Sequence, residues 1–247
     1  MSPKISIITV VYNGEKVLLR TIESIANQTF RDIEYLIIDG RSQDGTLGII
    51  ENNNHSITNW ISEPDKGLYD AMNKGLRMAH GEYVLFLNAG DQFYEKTTLA
   101  KIFDVPRDAD VYYGETMMID EAGKEIGLRR LKAPETLSWK SLINGMVVCH
   151  QSFIVRRSIA PDYDLKFIIA ADYAWMVECL KKSKIIVNTQ LIISRFLEGG
   201  MNKSLIFTAL KERFGEMVKH YGLLKTSAVH VLIGLRFTWF VIRKRRF

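Results

Sequence analysis

Three short polar segments stand where apolar runs stop: Tyr12-Asn13-Gly14-Glu15, Asp39 at the head of Gly40–Thr46, and Asn88-Ala89-Gly90-Asp91. The first joins an aromatic ring to an amide, a pair that suits a nucleobase because one stacks and the other hydrogen-bonds. Asn13-Gly14 is equally a strong turn signal and can simply start a helix. Asp39 can accept from a base N–H or a ribose hydroxyl, whereas Asp44, in the same loop, reads as a helix N-cap. Asp91 offers a carboxylate to Mg2+ or Mn2+, and such an ion neutralises a diphosphate leaving group. Each segment taken singly is compatible with a turn or a cap.

The elements that must position these segments alternate through the first half of the chain. Ile5–Val11 is a continuous, largely β-branched run, expected of a strand buried on both faces. Val17–Asn27 carries Leu18, Ile22 and Ile25 at helical spacing. Glu34–Ile38 reads as a strand, 44–50 as a helix, Ile57–Ile61 as a strand, Leu68–Ala79 as a helix and Tyr83–Leu87 as a strand. This alternation predicts a mostly parallel, doubly wound sheet, whose ligands sit outside the C-terminal strand ends. The three polar segments all fall at that edge. Beyond them the pattern becomes mixed: strands at 111–114, 117–119, 126–128 and 152–155, a helix at 172–180 and a last strand at 185–187. A smaller mixed sheet is expected there, within the same domain.

The charge distribution narrows the partners. The chain of 247 residues has net charge +5, yet six of its 33 basic residues lie in 223–247, which holds no acid. The remaining 27 face 28 acids, so the excess belongs to the C-terminal segment. A nucleic-acid protein would spread a basic patch over its folded face. A basic, apolar tail with Phe237, Trp239 and Phe240 points instead to anionic lipid at the inner leaflet. Residues 204–221 read as an amphipathic helix, and 223–242 as a surface-lying helix, a packing or oligomer helix, or a span. The N-terminus shows no secretory signal pattern, which makes the cytoplasm the expected location, with peripheral attachment to the membrane. Cys149 and Cys179 form no CxxC pair, so neither a zinc knuckle nor a disulfide framework is indicated. The glycine patterns of dinucleotide dehydrogenases and P-loop enzymes are missing from the sequence.

Five stretches in order carry a resemblance. They are the strand with Tyr12-Asn13, IIDGRSQDGT at 37–46, SEPDKGLYDAMNKGLRMAHGEYVLFLNAGD at 62–91, CHQSFIVRR from 149 and AADYAWMVECL from 170. Over roughly residues 4–200 the chain resembles the family 2 glycosyltransferases of the GT-A fold. The 62–75 stretch looks most like the bacterial exopolysaccharide, O-antigen and colanic-acid subgroup. The resemblance implies a GT-A Rossmann-like α/β catalytic domain over 1–203, with a nucleotide-sugar half (1–91) and an acceptor half (92–203), followed by a helical, basic tail (204–247). It implies that Tyr12 and Asp39 contact base and ribose, that Lys66, Asp70, Asn73 and Lys74 lie under the donor, and that Asn13, Glu15, Asn88 and Ala89 also bind the donor. Asp91 becomes the metal-side carboxylate and Asp172 the catalytic base. His150 and Gln151 stand either on the acceptor or diphosphate side or as ordinary strand-edge residues.

The chain departs from the family pattern in three places. The usual acid pair is Asp39-Gly40, the usual metal motif is Asn88-Ala89-Gly90-Asp91, and the acid pair before the catalytic helix is Ala171-Asp172. The expected activity is inverting transfer from a UDP-, GDP- or dTDP-sugar, assisted by Mg2+ or Mn2+, to a polyprenyl-diphosphate-linked or other glycan. A homo-oligomer is compatible with this reading. The rivals are a sugar-phosphate nucleotidyltransferase, which would want a Gly-rich, basic loop in place of residues 12–15, and an inactive nucleotide-sugar-binding subunit.

Overall fold

The computed structural model describes residues 2–105, 108–198 and 205–232. Its strands are β1 (Ile5–Val11), β2 (Ile33–Asp39), β3 (Asn59–Ser62), β4 (Tyr83–Phe86), β5 (Gln92–Phe93), β6 (Val111–Ile119), β7 (Glu125–Leu128), β8 (Phe153–Arg156) and β9 (Ile186–Leu197). The α-helices are α1 (Leu18–Ala26), α2 (Thr46–Asn52), α3 (Leu68–Met78), α4 (Thr98–Phe103), α5 (Ala171–Lys182) and α6 (Ile206–Tyr221). Residues 223–232 are also helical.

The strands form one sheet in the order β3-β2-β1-β4-β8-β6-β9-β5, with β7 paired to β6. β3, β2, β1 and β4 are parallel, as the alternating pattern requires. β8 turns the sheet antiparallel, β6 restores the original direction, and β9 lies parallel to β6. The expected mixed strands therefore extend the parallel half edge to edge.

β1 is buried throughout because layers cover both of its faces. Ile8 and Val10 enter a core with α3 and α5, while Ile5, Ile7 and Val11 enter another with α1 and α4. Each such side chain removed from water contributes about 1.5–3 kcal/mol. α3 lies close on β1: a Cβ at Gly75 would stand 2.4 Å from Ile8 Cγ2.

Several sequence expectations change in detail. The segments at 111–114 and 117–119 are one strand, β6, with bulges against β9 near Gly114–Thr116. The last strand runs twelve residues, because Asn188, Thr189 and Gln190 interrupt its apolar pattern without ending it. Gln190 adopts φ 58 there. α4 and β5 are too short for a periodic signal. The N-cap position of α2 falls at Gly45, and Asp44 acts from one residue before it by accepting from Thr46 N–H at 3.0 Å.

α6 packs into the body of the protein. Met217 is buried in the α3–α5 core, and the Tyr221 ring stacks on Trp139 at 5.6 Å while its hydroxyl donates to the Trp139 carbonyl at 2.6 Å. The aromatic and basic residues expected to meet lipid, Phe237 to Arg246, lie outside the described residues. Among the described residues no helix is long and apolar enough to cross a membrane.

Candidate active site

Parallel pairing puts Val11, Asp39 and Ser62 side by side at the C-terminal edge of the sheet. Asp39 is fully buried there and accepts from Ser42 N–H at 3.0 Å, the Ser42 hydroxyl at 2.5 Å and the Ser62 hydroxyl at 2.6 Å. It thus knits the strand ends into a floor beneath the next segment. On that floor Tyr12 is 65% exposed. Asn13 takes φ 51, a left-handed conformation that Asn tolerates better than most residues. Its side-chain oxygen accepts from Gln43 N–H at 2.8 Å, and Glu15 accepts from Gly45 N–H at 2.8 Å. Asp44 returns a bond to Glu15 N–H at 3.1 Å. Asn13 and Glu15 therefore bind the 12–15 loop to the 42–46 loop.

A cleft of about 360 Å3 opens beside this rim. Tyr12 and Asn13 line one side, Asn88, Ala89 and Asp91 the next, and His150, Gln151 and Asp172 the far side. Sheet-like bonds from Leu87 N–H to Ile8 and from Ala89 N–H to Val10 carry β4 outward, which delivers Asn88 to the rim. The chain then turns at Gly90, whose φ of 99 favours glycine and where a Cβ would stand 2.7 Å from Leu197 Cδ2. Thr21 of α1, unflagged by any sequence motif, fastens this turn. Its hydroxyl donates to the Asp91 carbonyl at 2.8 Å and accepts from Gly90 N–H at 2.9 Å.

Asp91 is 4% exposed. One oxygen accepts from the Gln151 amide at 2.9 Å and the other from Leu197 N–H at 3.1 Å. Burial still dominates and pushes its pKa up to about 6. Next to Gln151, His150 Nδ1 lies 3.6 Å from Asp172 Oδ2, and its Nε2 stands 3.4 Å from the Asn88 side-chain nitrogen. Two consecutive residues thereby bracket both far-apart carboxylates. Asp172 sits in the first turn of α5. Tyr69 also lines the cleft.

Other residues of the 62–75 stretch serve the scaffold. Asn73 is buried, and its amide makes a two-way clamp with the Tyr163 backbone at 2.8 and 2.6 Å. Lys74 Nζ lies 2.6 Å from Asp65, 2.9 Å from Glu63 and 3.8 Å from Asp70. Burial opposes the charge, but Asp65 and Glu63 outweigh it and hold its pKa above the usual lysine range. Both were expected under the donor. Each helix residue turns 100°, so Leu68, Tyr69 and Met72 face the cleft instead. Asp70 accepts from Lys66 N–H at 3.0 Å, and the Lys66 side chain is exposed.

The metal expectation can be tested against these donors. Asp91 is a buried carboxylate, and Asn88 Oδ1 is buried without a hydrogen-bond partner among the described residues. No group of three or more His, Cys, Asp or Glu forms a metal cage among the described residues. This set fits a hard divalent ion that takes most of its ligands from water and phosphate oxygens.

A larger hollow, about 660 Å3, opens between α6 and the 166–168 loop. Its acids are already engaged, Glu212 by backbone amides and Glu216 by Lys219 and His220. Tyr12, Asp91 and Asp172 line the smaller cleft instead.

Comparison with known proteins bears on the family and the fold. The family model described as Glycosyl transferase family 2 matches residues 6–163. A PGL/p-HBAD biosynthesis glycosyltransferase of Mycobacterium bovis is 30% identical over 217 residues, covering 83% of this chain and 81% of its own. An uncharacterized glycosyltransferase of Haemophilus influenzae is 29% identical over 187 residues, 74% of each chain. Among solved structures, S. aureus TarS 1-349 in complex with UDP-GlcNAc aligns with a TM-score of 0.69 at 21% identity, over 87% of this chain and 66% of that one. The mannosyltransferase PcManGT from Pyrobaculum calidifontis, in complex with GDP-Man and Mn2+, aligns with a TM-score of 0.64 at 14% identity, over 95% and 76%. At such identities these two establish the fold. Fold, family model and relatives converge: the chain belongs to glycosyl transferase family 2, and it is a glycosyltransferase of the GT-A type.

Proposed function

We propose that the enzyme transfers a sugar, with inversion, from a nucleotide-sugar donor to a hydroxyl of a lipid-linked glycan in the assembly of a cell-surface polysaccharide. The observation that carries this reading is the placement of Asp91 and Asp172 in one cleft, joined through Gln151 and His150. Tyr12 stacks the base, over the floor made by Asp39, Ser42 and Ser62. Lys66 reaches the diphosphate. Asp91, with Asn88 Oδ1, holds a divalent cation, which when bound supplies neutralising charge to the leaving diphosphate.

Asp172 accepts the proton of the acceptor hydroxyl. The hydroxyl oxygen forms the new bond to the anomeric carbon as the carbon–oxygen bond to the diphosphate breaks on the opposite face. A positioned base contributes about 10²–10⁴-fold to such a step. His150 keeps the Asp172 carboxylate oriented. Exposed Phe207, Leu210, Leu223 and Leu224 on the C-terminal helices support an interfacial placement at an anionic membrane.

The test is Asp172→Asn in the full-length protein, assayed with Mn2+ and a panel of UDP-, GDP- and dTDP-sugars. Transfer should collapse while donor binding persists. Retention of transfer would overturn the base assignment. Removal of 223–247 should release the protein from anionic vesicles with donor binding intact, and continued sedimentation with vesicles would refute the membrane role.

A further inference from the structure

The N-terminus of α5 is held from another part of the chain. Ile168 N–H donates to one carboxylate oxygen of Glu212 at 2.8 Å, and Ile169 and Ala170 N–H donate to the other at 3.0 and 3.1 Å. Glu212 belongs to α6, more than forty residues further along the chain. In the first turn that follows, Tyr173 N–H donates to Asp172 Oδ1 at 2.7 Å. The amides of residues 168, 169, 170 and 173 thus have side-chain partners. The first N–H groups of a helix have no partner within it, and no side chain at the Ala170 N-cap fills that role.

We propose that Glu212 is a positioning residue for catalysis: its carboxylate, delivered by α6, fixes the entry of α5 and with it the reach of Asp172 into the cleft. The path is short and continuous. Ala170 N–H is bound to Glu212, Asp172 follows two residues later, and Ile169, between two bound amides, itself lines the cleft. A negative group at that end also suits the partial positive charge of the helix terminus. Docking of α6 through Met217, Tyr221 and the Glu216–His220–Lys181 chain holds Glu212 against the loop. The C-terminal helix accordingly completes the reactive end of the enzyme. This rests on the assignment of Asp172 as base.

The experiment is a double-mutant cycle of Glu212→Ala and Asp172→Asn in the full-length protein, with Glu212→Gln and Glu212→Asp as milder variants, and with donor affinity measured calorimetrically using the free nucleoside diphosphate. Glu212→Ala should lower kcat on the order of 10–100-fold, since misplacement by about 1 Å can cost that much. Donor KM and nucleoside-diphosphate affinity should move by less than about twofold, because lost transition-state contacts alone lower kcat without raising KM. Glu212→Gln, which keeps one acceptor oxygen, should recover part of the rate. In the Asp172→Asn background Glu212→Ala should cost little more, since residues acting as a unit are not additive. Full additivity, a matched fall in donor affinity, or an unchanged kcat in soluble, folded Glu212→Ala and Glu212→Gln would each overturn the proposal while leaving the base assignment standing. If Asp172→Asn keeps full transfer, the base assignment fails and this proposal fails with it.

Discussion

His150 Nδ1 stands 3.6 Å from Asp172 Oδ2, a gap that a small reorientation of either side chain closes into a charge-assisted hydrogen bond. The other ring nitrogen faces Asn88, so the imidazole ties the proposed base to the metal-side rim. Replacing His150 with Ala should lower kcat about 10–100-fold and leave donor KM within about twofold, the pattern of a group that acts on the transition state. Steady-state kinetics with varied donor checks it.

Asp91 gives a prediction in pH. Burial raises its folded pKa to about 6, above the unfolded carboxylate range. A group shifted upward favours folding while protonated. That contribution is complete below the unfolded pKa and is lost as pH climbs through about 6. Asp91→Asn carries no such loss, so its Tm should exceed that of the parent at about pH 7.5 and converge with it near pH 4. Transfer by the variant should be abolished at every pH. In the parent, Mn2+ should raise Tm more strongly above pH 6 than below it, and chelation should reverse that gain.

The exposed ring of Tyr12 should bind the base by stacking. Tyr12→Ala should raise donor KM about tenfold, in keeping with 1–3 kcal/mol for base–aromatic stacking. Tyr12→Phe should stay within about twofold, because the face and not the hydroxyl is used. Titration of nucleoside diphosphate onto the two variants separates these outcomes.

Asn73 should prove structural. Asn73→Ala leaves both polar groups of the buried Tyr163 backbone unpaired, at a cost of about 2–4 kcal/mol. Chemical denaturation should show that loss, while donor KM in the folded fraction changes little.

Gly75→Ala should also destabilise, by about 1–3 kcal/mol, since α3 must move away from Ile8. That movement carries Tyr69 and Met72, so donor and acceptor kinetics should both worsen. An unchanged Tm would contradict the close packing.

The parallel half of the fold was legible because its strands are buried on both faces and read as unbroken β-branched runs. The long β9 was not, since it is only half-buried and its polar start conceals the pairing with β6. Tyr12, Asp91 and Asp172 could be placed at the edge because strand ends and helix starts fix direction. Asn73 and Lys74 could not, because a rotation of 100° per residue decides between cleft and scaffold, and partners such as Tyr163 are set by tertiary packing. Thr21 and Glu212 gave no signal at all, since a hydroxyl in a helix interior and an acid in an amphipathic helix look like ordinary surface chemistry. Their roles arise from residues 69–70 and 42–44 positions away.

The lacing of residues 13–15 to residues 42–45 has a kinetic consequence. All of its links are intramolecular, so the entropy of ordering this loop pair is settled during folding and is not charged against binding. A donor meets a stationary edge, and its capture should be governed by diffusion and electrostatic attraction more than by slow gating. The same rigidity keeps the doorway open on the base side, so the spent nucleotide can depart without waiting for that edge to move.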